Sequence, residues 1–324
     1  MFLAKRQRET LLSLECFSLK SSKMVYVLTE KHCDFIAKLI ETNLNKIGLA
    51  CEIVYEMPVK GFDEGLYFVI CPQSFKSLPK LFVAFQVEQL HCSNWFNAKY
   101  LRKLKKAIAI FDYSLLNINF LAKNGIAPNR LFYMPISYDK IPKPNYNEKK
   151  YDVLFYGATE CQRRKDILSK IGECYKVKII NNMYGHEILE EIAKAKIVLN
   201  IHFYEDALLE TTRISECLTL NSGVIISEKS KDLSANNYFT KVVDFVEVND
   251  VEMMKKKIAY WLDNEEKIRE KLYQNYLLAK QEKHSLFERG FHEFLLHSRN
   301  IDISNYEKLT NDNFVMGKAN NQYL

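Results

Sequence analysis

Asn200-Ile-His-Phe-Tyr-Glu-Asp-Ala-Leu-Leu-Glu-Thr-Thr-Arg-Ile-Ser-Glu-Cys-Leu-Thr-Leu-Asn-Ser-Gly-Val-Ile-Ile-Ser227 is the stretch that decides the fold. An apolar strand over 196–201 enters it, and a second, Val224-Ile-Ile-Ser227, leaves it. Between them lie a polar loop and about nine residues of helical character. Strand, loop, helix, strand is the parallel α/β unit whose ligands sit at the carboxyl ends of the strands. The loop and helix start carry His202, Tyr204, Glu205, Asp206, Glu210, Thr211, Thr212, Arg213 and Glu216, more polar groups than a turn requires. That concentration marks a candidate binding site.

Outward from this unit the same alternation repeats. Strands are predicted over 24–28, 51–55, 66–71, 81–85, 107–112 and 131–134, with amphipathic helices over 32–47 and 113–124. A polar run with two prolines, Asp139-Lys-Ile-Pro-Lys-Pro-Asn-Tyr-Asn-Glu-Lys-Lys150, reads as a linker. The pattern restarts with strand 151–157, helix 162–172, strand 176–181, helix 187–195 and strand 196–201, and later strands at 223–227 and 242–246. The expected organisation is therefore a leader over 1–23, a first α/β domain over 24–138, the linker 139–150 and a second α/β domain over 151–250. Charged C-terminal helices over 251–298 and a polar tail over 299–324 complete it. The fold class is α/β, with two doubly wound, Rossmann-like domains hinged about a cleft.

Three elements of the second domain suit an anionic ligand. Gly157-Ala-Thr-Glu-Cys-Gln-Arg-Arg-Lys165 follows its first strand. There Gly157 permits close approach of the backbone, and Arg163, Arg164 and Lys165 bring cations to a helix start. Of the three, Arg164 is assigned to the ligand; an Arg-Arg-Lys run also serves as a solvated helix face. Asn181-Asn-Met-Tyr-Gly-His-Glu187 is either ordinary turn chemistry or a loop in which Tyr184 stacks on a base. Thr211 and Thr212 stand at a helix start, as caps or as phosphate ligands, and Arg213 and Glu216 are three apart, either a surface pair or a ligand pair.

This second-domain pattern resembles the donor region of bacterial glycosyltransferases with the two-domain GT-B architecture, in the residues Arg213, Glu216, Leu218 and Gly223-Val-Ile-Ile-Ser227. The resemblance implies a nucleotide-sugar donor, a diphosphate held by basic residues after Gly157, a base in the 181–187 loop and a ribose bonded to Glu216. Many retaining members carry an acid eight residues before that glutamate. Here the position is Leu208, so Glu205, Asp206 or Glu210 would substitute. In the first domain Glu88 and His91, after strand 81–85, are the candidate general bases, with structural capping the competing role. Gln86, Gln89, Asp112 and Ser114 are further polar groups at strand ends. The last helices would return to the first domain. The implied role is metal-independent sugar transfer to a glycan or lipid-linked glycan in cell-surface polysaccharide synthesis. The rivals are a nucleotide-sugar epimerase and an inactive binding scaffold of the same fold.

Composition narrows the classes further. The chain has 324 residues, 48% hydrophobic and 13% aromatic, which fits a globular protein with two cores. Its eight cysteines contain no Cys-x-x-Cys pair, so free thiols in a reducing cytoplasm are expected. Residues 24–140 carry 14 Lys and Arg against 10 Asp and Glu. That excess suits an anionic acceptor or peripheral contact with an anionic membrane surface, or simply a mixed solvated face. It is too small to indicate nucleic acid, and no nucleic-acid motif accompanies it. No Asp-x-Asp, G-x-x-x-x-G-K-[ST], G-x-G-x-x-G or G-x-S-x-G occurs. His292-Glu-Phe-Leu-Leu-His297 puts its histidines about 140° apart on a helix, which excludes a zinc-protease pair. No metal and no cofactor are expected.

Overall fold

The computed structural model describes residues 24–146 and 148–297, so the expected leader 1–23 and tail 299–324 lie outside it. The described residues divide into two compact units. One takes in the chain up to Pro135 and again from Glu288, and the other is Ile136–Phe287.

The first unit holds a six-stranded, all-parallel sheet. Its strands are β1 (Met24–Leu28), β2 (Cys51–Val54), β3 (Gly65–Ile70), β4 (Phe82–Gln86), β5 (Ala109–Asp112) and β6 (Leu131–Tyr133), in the order β2-β1-β3-β4-β5-β6. β4 and β5 are buried at every position, as parallel strands covered on both faces must be. Helix α1 (Asp34–Lys46) joins β1 to β2 and buries Ile36, Leu39, Ile40 and Leu44, at the helical spacing that predicts it. Helices α2 (Ala98–Leu104) and α3 (Leu115–Lys123) are capped by Asn97 and Ser114, whose side chains accept from Tyr100 N and Leu116 N.

The second unit repeats the plan with β7 (Tyr151–Tyr156), β8 (Val177–Ile180), β9 (Ala195–Asn200), β10 (Val224–Glu228) and β11 (Val243–Val246), ordered β11-β10-β9-β7-β8 and all parallel. Its helices are α4 (Gln162–Gly172), α5 (Gly185–Ala193), α6 (Thr211–Leu220), α7 (Leu233–Phe239), α8 (Val251–Leu262) and α9 (Glu265–Gln281). In both sheets the first strand is followed by a neighbour on one side and by all later strands on the other. The direction of winding therefore reverses beside β1 and beside β7, and ligand crevices form outside the strand ends at such points.

The described residues of the proline-bearing segment 139–150 pack onto the second unit. Ile141 is buried in its core, and the Asn221 amide donates to Pro142 O and Leu272 O, both at 2.9 Å. Asn221 also ends α6 in the left-handed conformation, with φ 45°, which Asn tolerates better than most residues. Helix α10 (Leu286–His297) carries Phe291 and Phe294 into the aromatic core of the first unit. There Phe294 lies 4.7 Å from Phe111 and 5.2 Å from Phe132 between ring centroids. Gly290 permits that approach, since a Cβ there would stand 2.8 Å from Tyr133 O. Among the described residues no helix is long and apolar enough to cross a membrane.

Candidate functional site

In the second unit, β7 ends at Tyr156 and β9 at Asn200, and the residues just beyond these ends converge with the start of α6. Gly157 adopts φ 132°, and a Cβ on it would lie 2.6 Å from Arg213 Nη2 and 3.7 Å from Arg164 Nη1. The Arg213 guanidinium takes the place of a Cβ, and the φ itself is one that L side chains rarely adopt, while Arg164 stands at ordinary contact distance.

Arg164 comes from the first turn of α4 and is 3% exposed. Its Nε donates to Ile201 O at 3.0 Å, its Nη1 to Ala158 O at 2.8 Å and its Nη2 to Glu210 Oε1 at 2.5 Å. Arg213 comes from the first turn of α6. Its Nη1 donates to Asn200 Oδ1 at 2.6 Å and also pairs with Glu210 Oε2 at 2.6 Å. Both cations stack on aromatic rings. Arg164 lies over Phe155 and Phe203, and Arg213 over Phe155 and Tyr156, all at 5.3–5.4 Å. Burial would raise the Glu210 carboxyl, but Arg213 and Arg164 override it and hold it down at about 2. Two guanidiniums thus share one carboxylate, and the cluster keeps a positive excess.

Three buried polar atoms here have no hydrogen-bond partner among the described residues: Nε of Arg213, Oγ1 of Thr211 and Nδ1 of His202. Buried polar groups are rarely left so, and an ordered water or a ligand is what ordinarily meets them. Thr211 is the first residue of α6, whose cap position, Glu210, makes no side-chain cap bond. The threonines therefore do not cap this helix, and its first N–H groups keep the positive end of the helix dipole. His202 is buried and its ring is held below its ordinary pKa by desolvation, so it is neutral. Its Nε2 lies 3.1 Å from Lys229 O and donates there, which leaves Nδ1 as an acceptor.

The remaining sequence candidates divide by environment. Arg163 is bound up in the protein: Nη1 donates to His202 O at 2.6 Å, Nε to Asn249 Oδ1 at 2.8 Å and Nη2 to Glu228. It braces the loop after β9 against the end of β10. Lys165 is exposed on the outer face of α4. Glu216 accepts from the Tyr156 hydroxyl at 2.9 Å, one α-helical turn beyond Arg213. Tyr184 is 42% exposed at the mouth of the β8–α5 loop. Tyr204 packs edge-on against Phe203, and Thr212 is half-buried. Of the acids proposed to replace the one at Leu208, Glu205 and Asp206 are exposed, and Glu210 alone joins the arginines; Leu208 itself is buried. Tyr156, Asn200 and Glu228 were not singled out from sequence. Each is a polar residue at the end of an otherwise apolar strand, and that was the available signal.

In the first unit, Glu88 follows β4 and accepts from Gln73 Nε2 at 2.7 Å and Ser93 Oγ at 2.8 Å, while its own N–H donates to Gln86 Oε1 at 2.6 Å. His91 is exposed, its ring 5.1 Å from that of Phe120. Beneath them Asp112 is fully buried and accepts from Gln86 Nε2, Ser114 N and Asn117 Nδ2 at 2.8, 2.9 and 3.1 Å. Asn117 in turn donates to Glu88 O at 2.9 Å, so this buried carboxyl group fixes the backbone from which Glu88 projects.

No family model matches the chain. Two uncharacterised proteins of Acanthamoeba polyphaga mimivirus are similar in sequence, one 29% identical over 196 residues and the other 31% over 151. These alignments cover 60% and 43% of this chain, and the chain spans 66% and 20% of the relatives' lengths. Among solved structures, HepE of Anabaena in complex with UDP and glucose superimposes with a TM-score of 0.55 at 10% identity, covering 85% of this chain and 99% of that one. WaaG, a glycosyltransferase involved in lipopolysaccharide biosynthesis, gives 0.55 at 10% identity over 84% and 99%. An α-glucosyltransferase in complex with UDP-glucose and DNA containing an abasic site gives 0.52 at 12% identity over 84% and 99%. Two parallel sheets of one winding plan, a closing helix returned to the first unit and these superpositions agree: the chain has the GT-B glycosyltransferase fold.

Proposed function

We propose that this chain transfers a sugar from a nucleotide-sugar donor to an acceptor hydroxyl, and that the second unit holds the donor. The observation that carries the reading is the Arg164–Glu210–Arg213 cluster at the ends of β7 and β9, positive in excess and flanked by the unpaired Arg213 Nε and Thr211 Oγ1. In the reaction the bond from the anomeric carbon to the diphosphate oxygen breaks, and one to the acceptor oxygen forms. The acceptor proton passes to a base, for which Glu88 and His91 are the candidates, and charge develops on the leaving diphosphate. Prearranged guanidiniums and the start of α6 stabilise that charge without a metal. Glu216 takes the ribose hydroxyls, and Tyr184 offers a face for the base. The acceptor is a glycan or lipid-linked glycan, by analogy with the fold and with the modestly basic first half.

The test is a calorimetric titration with uridine, guanosine, thymidine and cytidine diphosphates in the presence of a chelator, followed by donor-turnover assays. Uridine compounds come first, because the structurally similar enzymes were captured with them. Binding in chelator, with nucleotide released only when an acceptor is added, supports transfer. Sugar isomerisation without acceptor points to an epimerase, and binding without turnover to a scaffold. Absence of binding by all four diphosphates sinks the donor-site assignment.

A further inference from the structure

A second constellation, unrelated to the donor residues, stands in the first unit where its winding reverses. β1 ends at Leu28 and β3 at Ile70. Just beyond them the chain brings His32, Cys33 and Cys71 together, with one ligand atom from each lying within 4.8 Å of the others. The cysteines are 38 residues apart in sequence, yet their Sγ atoms are 3.5 Å apart, and both residues are buried.

The geometry points to a binding site for a thiophilic divalent cation, zinc in the first instance, held by Cys33 Sγ, Cys71 Sγ and the His32 ring. Two thiolates on one tetrahedral zinc, each at about 2.3 Å, stand about 3.8 Å apart. The observed separation is close to this and far from the roughly 2.0 Å of a disulfide. Two sulfurs and an imidazole form a donor set that favours zinc over magnesium or calcium.

Two further features fit such a site. The His32 Nδ1 lies 3.2 Å from the Glu30 carboxylate, while the ring also hydrogen-bonds the Cys71 thiol. Carboxylates commonly orient metal-binding histidines in this way. Cys71 has φ 53°, a left-handed backbone rarely adopted by residues other than Gly, Asn or Asp. Strain of this kind concentrates at functional sites, and the thiol of this residue lies against that of Cys33.

Coordination releases the thiol protons to solvent. It leaves a fourth position for an oxygen ligand on the half-exposed His32 side, at a strand end where ligands of this fold class bind. The cation belongs to the first unit, and the donor residues belong to the second.

The experiment titrates reduced full-length protein with Co2+ and then with Zn2+. The expected result is one equivalent of Co2+ per chain, a near-ultraviolet sulfur-to-cobalt charge-transfer band, and loss of that band on adding zinc. Cys33→Ser and Cys71→Ser should each abolish the band, His32→Ala should weaken affinity at least tenfold, and Cys174→Ser, at an exposed cysteine, should change nothing. No thiolate band in the wild type, or a band kept in Cys33→Ser, overturns the site. So does a Cys33–Cys71 disulfide that forms in glutathione buffer and excludes zinc. If Cys71→Ser does not fold, the wild-type spectrum and the half-exposed His32→Ala variant still decide.

Discussion

The Tyr156 hydroxyl donates to Glu216 across 2.9 Å, so the last residue of β7 orients a carboxylate in the middle of α6. The tyrosine is buried, and its pKa is raised by desolvation, so it remains a donor at any working pH. Glu216→Gln should weaken nucleotide binding by roughly 1.5–3 kcal/mol, since a carboxylate can accept from both ribose hydroxyls and an amide cannot. Tyr156→Phe should cost less, because the carboxylate stays but loses its orientation. Titrations with ribose and dideoxyribose diphosphates check this. The loss should shrink sharply for the dideoxy nucleotide, and equal losses for both would remove Glu216 from the ribose site.

Glu210→Gln should be among the most destabilising single changes in the second unit. It leaves Arg164 and Arg213 buried side by side without their shared counter-charge, a defect that costs roughly 3–5 kcal/mol. Added nucleoside diphosphate should restore part of the loss, because an anion would enter a cluster that lacks one. Thermal denaturation with and without ligand measures both effects. A variant as stable as the wild type would show that the pair is not the central charge of this site.

Arg164→Ala should impair diphosphate binding about ten- to a hundredfold while leaving the free nucleoside little affected, and it should also lower stability, since its buried guanidinium is bonded to Ala158, Ile201 and Glu210. Arg163→Ala should lower stability alone, since its guanidinium ties His202, Glu228 and Asn249 together. Parallel calorimetry and melting of the two variants separates these roles. Equal profiles for the neighbours would contradict the division.

Two buried carboxylates should tilt the stability curve in opposite directions. Burial raises Asp112 from 3.8 to about 8 against the hydrogen bonds it accepts. The folded chain therefore holds that proton more tightly, and the contribution is full below about 3.8 and lost as pH rises through 8. Glu210 lies low, at about 2 against 4.5, so its contribution is present above 4.5 and lost as pH falls toward 2. The wild type should lose melting temperature as pH rises from about 4 to 8, and Asp112→Asn should flatten that limb only. An unchanged alkaline limb in the variant would place the titration elsewhere.

Gly157→Ala should be poorly tolerated. The new methyl would press on the Arg213 guanidinium, and a φ of 132° is costly for any L side chain, by roughly 1–3 kcal/mol. Its melting temperature should fall, and diphosphate affinity should drop with it as Arg213 is displaced.

Strand positions were readable because parallel strands buried on both faces appear as continuous apolar runs, as in Phe82–Gln86 and Ala195–Asn200. The seven-residue helices Ala98–Leu104 and Leu233–Phe239 escaped, being too short for a 3.6-residue period to stand out. At the site, the sequence offered Arg164 among three basic residues and Glu210 among three acids, and the family resemblance pointed to Arg213 and Glu216; the structure brings Arg164, Glu210 and Arg213 together. The sequence could not tell that neighbouring Arg163 turns to Glu228, 65 residues away, because adjacent helical residues face about 100° apart and their partners come from other elements. The Cys33–Cys71 pair was hidden for a related reason. A motif search looks for short spacings, whereas a parallel sheet joins strand ends through crossovers of dozens of residues.

The two units differ in how they can be made. Ile136–Phe287 is one continuous stretch, so everything its core needs has been synthesised once Phe287 emerges from the ribosome. The other unit is split, and its aromatic core lacks Phe291 and Phe294 until the far end of the chain is translated. Vectorial synthesis would otherwise favour the N-terminal unit as the first to fold. Here that head start is lost: the earlier-made sheet keeps an uncovered apolar face until a helix that begins where the other unit ends is made, so the two units become complete within a few residues of each other.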